Sequence, residues 1–181
     1  MSVAKRIYEA IEKIHRQDFE GALIPTSIAL DRTAQKFYRK DKSKKSDYKQ
    51  FLTDNMALIT RVSLGTSVLN LHVAFHHPDI ELDANGMCRF EAIIYHAVRC
   101  GLVHAAELPD NLVFEPGKRL EHRKNLLILP AELISGLMMA VVCCPVNAKE
   151  RVPDGACVVI GDVEHPVNRF WGNPQRLLEL L

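Results

Sequence analysis

Three side chains near the middle of the sequence have the chemistry for acid–base catalysis or metal binding. His96, Cys100 and His104 follow one another at four-residue intervals, with Arg99 and Glu107 close by. The outer face of a merely solvated helix carries long Lys and Glu side chains, whereas imidazole and thiol groups titrate or bind metals near neutral pH. Because residues four apart on an α-helix can touch, this run predicts a polar helix face with a chemical role.

A metal site on this face would need further ligands, because one helix offers only adjacent pairs of such residues. Separately, His76 and His77 beside Pro78 and Asp79 are residue types that can ligate a metal, but the sequence identifies no further ligand for them. A turn explains these four residues more simply than a metal site does. We therefore expect no metal and no other cofactor, and we keep a metal-binding role for the His/Cys face as a third alternative.

The polar face belongs to a helix predicted from Met87 to about Leu108. At roughly 100° per residue, a set of apolar residues falls on the opposite side and must face the core. This set comprises Phe90, Ile94, Val98, Leu102 and Ala105. Glu91 falls near the apolar side and needs a buried partner, for which Arg61 is a candidate.

A second segment of interest is the basic tract over residues 39–49, where lysine and arginine outnumber aspartate. Like charges at this density repel, so a solvated loop is the simplest interpretation. The alternative is a phosphate-binding surface, since lysine supplies the sequence-independent part of nucleic-acid affinity. In that case Lys42, Lys44 and Lys45 are the candidate phosphate ligands.

The other helices follow from apolar spacing and helix caps. One is predicted over residues 4–19, and a second follows Pro25 and ends at Phe37. A third starts at the caps Ser46 and Asp47 and runs to near Val73. These helices and the one with the polar face predict a helical bundle over residues 1–108.

Residues 109–181 differ from the N-terminal part, because short predicted strands alternate there with helices. Short strands are predicted at 112–115, 125–129 and 157–160. Pro130 suits the first turn of a helix whose apolar residues from Leu133 to Val141 imply burial. Asn173 and Pro174 cap and open a short terminal helix. The fold class is therefore mainly α, a helical bundle with a small β-containing C-terminal extension.

The composition limits the classes of function. The 181 residues include 23 Lys and Arg against 22 Asp and Glu, and 48% of the chain is hydrophobic. This balance fits one globular domain over residues 1–181 and excludes a wholly basic nucleic-acid coat protein or an acidic disordered chain. Gly-rich phosphate loops and the His-Glu-x-x-His and Gly-x-Ser-x-Gly motifs are absent, which argues against the enzyme classes that depend on them.

The compartment is predicted from the N-terminus, the cysteines and the most apolar segment. Charges recur through the first residues, so there is no secretory signal, and we expect a cytoplasmic protein. Five cysteines without a Cys-x-x-Cys pair predict neither a disulfide framework nor a zinc ribbon. Residues 126–146 are apolar apart from Glu132, but Pro130 and Pro145 interrupt them, so a buried core helix is favoured over a membrane span.

The residues Arg99-Cys100-Gly101-Leu102-Val103-His104 fit the Arg-x4-6-His motif of the HEPN superfamily. HEPN proteins are helical proteins of toxin, defence and RNA-processing systems, and many are metal-independent endoribonucleases. The chain resembles them over about residues 1–108, and the specific part of the resemblance covers about fifteen residues. In HEPN nucleases Asn, Asp or His usually follows the arginine, whereas Cys100 stands there in this chain.

The resemblance implies a metal-independent endoribonuclease with Arg99 and His104 as catalytic residues, and His96, Cys100 and Glu107 on the same face. Such a reaction needs a base, an acid and a cation at the phosphate, and Arg99 can bind a phosphate bidentately. On a straight α-helix Arg99 and His104 are about 140° apart. Either the helix loosens near Gly101, or two chains pool these side chains in a homodimer, as HEPN proteins commonly do.

The leading expectation is therefore an RNA-cleaving homodimer that works without a cofactor and away from membranes. The alternative, about equally supported, is a non-catalytic HEPN-like module whose polar face binds nucleic acid or a protein partner.

Overall fold

The computed structural model describes residues 2–42, 44–105, 107–160 and 163–181, and for residues 103–105 it describes the backbone alone. Helices form about half of this chain, and small sheets account for its strands. The α-helices are α1 Val3–His15, α2 Phe19–Phe37, α3 Lys45–Asp54, α4 Met56–Leu64, α5 Phe90–Ile93, α6 Glu132–Val142 and α7 Pro174–Leu178. The strands are β1 His72–Val73, β2 Cys88–Arg89, β3 Leu112–Glu115, β4 Glu121–Arg123, β5 Leu126–Pro130, β6 Cys157–Ile160 and β7 Val163–Pro166.

Helices α1 and α2 form a tightly packed pair. Helix α1 ends at His15, and α2 begins at Phe19 because the Asp18 carboxylate accepts a hydrogen bond from the backbone N–H of Gly21, at 2.9 Å. The prediction that the second helix follows Pro25 is therefore wrong. Pro25 lies inside α2, where its missing N–H removes a single backbone hydrogen bond.

The third predicted helix is also wrong in extent. Instead of running from the Ser46 and Asp47 caps to near Val73, it divides into α3 and α4 at Asn55 and ends at Leu64. Gly65 ends α4 in the left-handed conformation, with φ of 74°, which glycine adopts at low cost. The chain then enters β1, which pairs antiparallel with β2.

Strand β2 also shortens the helix that was predicted from Met87, because Cys88 and Arg89 belong to the sheet and the helix starts at Phe90. After α5 the backbone continues as a π-helix, Ile94–Ala105. In a π-helix the hydrogen bonds join residues five apart instead of four, so each turn is wider. One of the small sheets thus lies in the N-terminal part, where the sequence predicts helices.

The C-terminal strands form two sheets. Strand β5 lies between β3 and β4, parallel to β3 and antiparallel to β4, and β6 pairs antiparallel with β7. The predicted strands at 112–115 and 157–160 are confirmed, and the one at 125–129 is shifted by one residue to β5. Pro130 ends β5 instead of lying in the first turn of α6.

Helix α6 is buried, as its apolar sequence predicts, and packs on α4 and α2. A Cβ atom on Gly136 would lie 2.6 Å from the backbone oxygen of Ile59, so glycine permits the close approach of α6 to α4. One cluster of buried apolar residues extends from Val3 to Leu177. The terminal helix α7 has the predicted cap, because Asn173 Oδ1 accepts from the N–H of Arg176.

Across the described ranges, each helix is either too short or too polar to cross a bilayer.

Candidate functional site

The π-helix Ile94–Ala105 carries the residues that the sequence singles out. Its five-residue hydrogen-bond spacing places the backbones of Arg99 and His104 one turn apart, whereas an α-helix would rotate them well away from each other. Gly101 lies between them, and a Cβ atom there would be 2.7 Å from the backbone oxygen of Glu107. The helix is therefore loosened around Gly101. The side chain of His104 lies outside the described residues.

The apolar side of this helix is confirmed for four of its five predicted residues, since Phe90, Ile94, Val98 and Leu102 are all at most 5% exposed. The side chain of the fifth, Ala105, lies outside the described residues. The polar side keeps the row of His96, Cys100 and His104 on one face, because a π turn takes between four and five residues, and it brings the backbone of Arg99 towards this row as well. The described side chains of that side, namely His96, Arg99 and Cys100, are half-buried. The prediction that Glu107 shares this face is wrong, because the helix ends at Ala105 and Glu107 lies beyond it, exposed.

The ring of Tyr95 is the centre of the polar cluster. The guanidinium carbon of Arg99 lies 5.4 Å from the ring centroid, and the ammonium of Lys45 lies 5.9 Å from it. The His96 and Tyr48 rings meet Tyr95 edge to face, with centroids 5.0 and 5.4 Å away. Two cations and an imidazole thus surround one aromatic ring, and they come from α3 and the π-helix.

Arg99 is held by several groups besides Tyr95. One terminal nitrogen is 3.9 Å from the Sγ of Cys100, and the charge of Asp31 on α2 also acts on the guanidinium. Burial lowers the pKa of Arg99, but Cys100, Tyr95 and Asp31 together outweigh it and raise the pKa. The guanidinium therefore carries a permanent positive charge and is confined to this corner of the protein.

A second imidazole lies next to His96. The ring centroids of His77 and His96 are 6.3 Å apart, and His77 stacks on the buried ring of Phe75. The backbone N–H of Asp79 donates to Nδ1 of His77, at 3.2 Å, so neutral His77 carries its proton on Nε2. The turn that the sequence predicts at residues 76–79 is present, and it brings the His77 imidazole into the cluster.

The environment of His96 favours the neutral imidazole. Burial lowers the pKa of His96, and the positive charges of Lys45 and Lys49 lower it further. His77 acts in the same direction, while the Asp79 carboxylate opposes it. At neutral pH His96 is therefore unprotonated and able to accept a proton.

The basic tract contributes an open cleft of about 580 Å³ beside this cluster. Lys44, Lys45 and Lys49 line it from the start of α3, and Arg89 lines it from β2. Of the three predicted phosphate ligands, Lys44 and Lys45 reach the cleft, whereas Lys42 is exposed outside the set of lining residues. From Lys45 onwards the basic tract belongs to helix α3, so the solvated-loop interpretation is wrong for that part.

Glu91 lies at the back of the same cleft and is buried as predicted, at 5% exposure. Its partner is Arg89, whose Nε is 2.5 Å from the Glu91 carboxylate. The expectation of Arg61 as the partner is wrong, because the Arg61 guanidinium instead donates to the backbone oxygens of Gly65 and Leu181.

The structure therefore brings together Arg99, His96, Cys100, Lys44 and Lys45 from the predicted set. Sequence reasoning missed Tyr95, Lys49, Arg89 and His77 as members of the cluster. The spacing of Tyr95 and Arg99, four residues apart on a helix, is the one signal that would have suggested their contact.

Metal binding by this cluster has no support from the described side chains. Within the parts of the chain that the structure describes, no three His, Cys, Asp or Glu residues lie close enough to share a metal ion. His96 and Cys100 therefore lack a third ligand of these types among the described residues.

Comparison with curated proteins yields no match, and comparison with solved structures yields none either. Among protein families, the model of the Rv1289 family matches residues 2–181. This match covers every element described above, including α3, the π-helix and the cleft between them. The chain therefore belongs to the Rv1289 family.

Proposed function

We propose that this protein is a metal-independent endoribonuclease of the HEPN type, with its active site around Tyr95. The observation that carries the proposal is the meeting of Arg99, His96 and Lys45 at one aromatic ring, from segments about fifty residues apart in sequence. A neutral imidazole and a fixed cation are the base and the phosphate-stabilising charge that RNA cleavage without a metal requires, and the lysine-lined cleft can hold the strand.

In the proposed reaction His96 takes the proton from the ribose 2′-hydroxyl, since its lowered pKa keeps it unprotonated. The 2′-oxygen attacks phosphorus and forms a 2′,3′-cyclic phosphate, while the bond from phosphorus to the 5′-oxygen breaks. Arg99 stabilises the charge that develops on the phosphate oxygens. A second imidazole, from His77 or His104, donates the proton that the departing 5′-oxygen takes up.

The two candidate acids differ in what supports them. His77 has its ring 6.3 Å from that of His96. His104 is supported by the Arg-x4-6-His motif and by its backbone position one π turn from Arg99. Loss of cleavage in His77→Gln or in His104→Gln identifies the acid.

We further propose that the protein works as a homodimer in the cytoplasm, as the HEPN resemblance implies. The π-helix makes a shared site unnecessary for pairing Arg99 with His104, so the dimer and the site are separate predictions. Light scattering at micromolar concentration tests the dimer. A monomer that still cleaves RNA would refute the dimer but not the active site.

The decisive experiment incubates the purified chain with structured RNA in EDTA and compares wild type with Arg99→Gln, His96→Gln and His104→Gln. His15→Gln is the matched control, because His15 is an exposed histidine at the end of α1. We expect cleavage in EDTA by wild type and the control, with at least about a hundredfold loss in Arg99→Gln. Absence of cleavage by wild type on any RNA, or equal cleavage by Arg99→Gln, refutes the proposal.

A second candidate is a module that binds RNA without cutting it. The basic cleft supports binding by itself, and Cys100 replaces the Asn, Asp or His that usually follows the arginine in HEPN nucleases. This module predicts salt-dependent RNA binding by wild type, weakened in Arg99→Gln, with the bound RNA recovered intact.

A further inference from the structure

The cleft beside Tyr95 is larger and more positive than a single scissile phosphate needs. Lys44, Lys45, Lys49 and Arg89 line it, and among the lining residues that the structure describes Glu91 is the only carboxylate. Glu91 is buried, and its carboxylate lies 2.5 Å from the Nε of Arg89, so its charge is compensated inside the cleft wall. The open part of the cleft is therefore cationic.

The cleft also carries neutral hydrogen-bonding groups. Ser46 supplies a hydroxyl, and Gln50 supplies an amide that keeps one N–H besides the one it donates to Asp54. The Thr53 hydroxyl also lines the cleft but donates to the backbone oxygen of Lys49. Hydroxyl and amide side chains commonly join lysine and arginine in contacts to nucleic-acid phosphates. A volume of about 580 Å³ falls in the range of ligand pockets, and it exceeds what one inorganic phosphate would fill.

Lys45 connects the cleft to the Tyr95 cluster. Its ammonium lies 5.9 Å from the Tyr95 centroid, and the same residue lines the cleft. We infer that the cleft binds a second phosphate of the same RNA strand, next to the phosphate that Arg99 holds. This inference rests on the proposed function for the orientation of the strand, and it requires an RNA substrate with at least two consecutive phosphates.

Binding of uncleavable DNA oligonucleotides tests the inference separately from catalysis. Fluorescence anisotropy is measured for oligonucleotides with one and with three internucleotide phosphates, across a salt series. The test variant is Lys44→Gln/Lys49→Gln, and the control is Lys5→Gln/Lys149→Gln, which loses the same charge at exposed positions elsewhere. Thermal melting checks that each variant folds.

We expect wild type to bind the three-phosphate oligonucleotide at least about tenfold more tightly than the one-phosphate oligonucleotide, and the test variant to lose this difference. The slope of log K against log salt should fall by about 0.7 for one lost phosphate contact. The control should match wild type. If the test variant proves unstable, Lys44→Glu alone should reduce the preference for the longer oligonucleotide, since Lys44 is exposed and lines the cleft.

Equal affinity of wild type and the test variant for the long oligonucleotide overturns the inference, as does an equal loss in the control. Competition with free inorganic phosphate provides a further test. If phosphate displaces the long oligonucleotide as effectively as an unlabelled oligonucleotide of the same length, the inference is overturned, because the cleft would then hold an isolated anion. If no RNA is cleaved while these binding differences are found, the proposed nuclease fails and the phosphate cleft stands. If RNA is cleaved and the binding differences are absent, only the cleft inference fails.

Discussion

The guanidinium of Arg99 lies over the ring of Tyr95, with 5.4 Å between the guanidinium carbon and the ring centroid. A cation over an aromatic face is attracted by the negative charge of that face, by about 1 kcal/mol where the pair is partly buried. The contact restricts where a long and flexible side chain can go. Under the proposed function, Arg99 therefore meets the phosphate without first being ordered by it.

Replacement of Tyr95 tests this positioning. Tyr95→Leu removes the aromatic face, and we expect RNA affinity and kcat/KM to fall about fivefold, since about 1 kcal/mol is lost. Tyr95→Phe keeps the ring and should stay within about twofold of wild type. A loss in Tyr95→Phe as large as in Tyr95→Leu would show that the hydroxyl matters and the ring does not.

Lys49→Gln tests the electrostatic control of His96. Burial, and then the charges of Lys45 and Lys49, lower the pKa of His96. Removal of one positive charge makes protonation easier, so the pKa of His96 rises towards its ordinary value. The acidic limb of the pH profile of kcat/KM should then move to higher pH, together with the His96 ring signal in NMR titrations. A limb that stays in place or moves to lower pH contradicts His96 as the base, and Lys5→Gln serves as the control.

Gly101→Ala tests the loosened helix. The added Cβ would lie 2.7 Å from the backbone oxygen of Glu107, so the segment that follows the helix must shift. We expect the free energy of unfolding to fall by about 1–3 kcal/mol and RNA cleavage to be largely lost. The comparison is Gly65→Ala, which is strained by its φ of 74° but meets no atom within 4 Å. Its stability should fall by about 1 kcal/mol with cleavage retained. Full cleavage by a folded Gly101→Ala would show that the site tolerates a different backbone.

Gly136→Ala tests the packing of α6 on α4. Its Cβ would lie 2.6 Å from the backbone oxygen of Ile59, and neither helix can retreat without opening the core. We expect a loss of about 2 kcal/mol or more in urea denaturation, with no direct effect on RNA binding. Gly155→Ala, at a turn with open space around it, should lose less. Equal stability of Gly136→Ala and wild type would mean that the two helices can separate at little cost.

Local periodicity predicts the faces of the helices better than their ends. The stripe from Phe90 to Leu102 is buried as predicted because apolar spacing is a property of the segment itself. The extension of α3 to Val73 fails because Asn55 and Gly65 break a pattern whose apolar residues continue on both sides. Strands β4 and β7 are polar and lie beside strands with stronger patterns, so neither is recognisable alone.

The site is less predictable than the fold because it depends on which helices meet. Lys45 and Tyr95 are fifty residues apart, and only the packing of α3 against the π-helix brings them within 6 Å. The sequence identifies Lys44 and Arg99 as cations, but it does not show that they lie in neighbouring parts of one surface. The sequence predicts the π-helix only as a possible loosening near Gly101, because helix propensities and apolar spacing describe α-helices.

The winding of the helix from Ile94 to Ala105 decides which residues are neighbours. In an α winding, His96 would stand next to Cys100 and Cys100 next to His104, which is the arrangement of a metal-binding or redox face. In the π winding these pairs remain neighbours, and the backbone of Arg99 also comes close to that of His104 along the axis. The register of the backbone hydrogen bonds thus adds a cation to the polar row without dispersing the row.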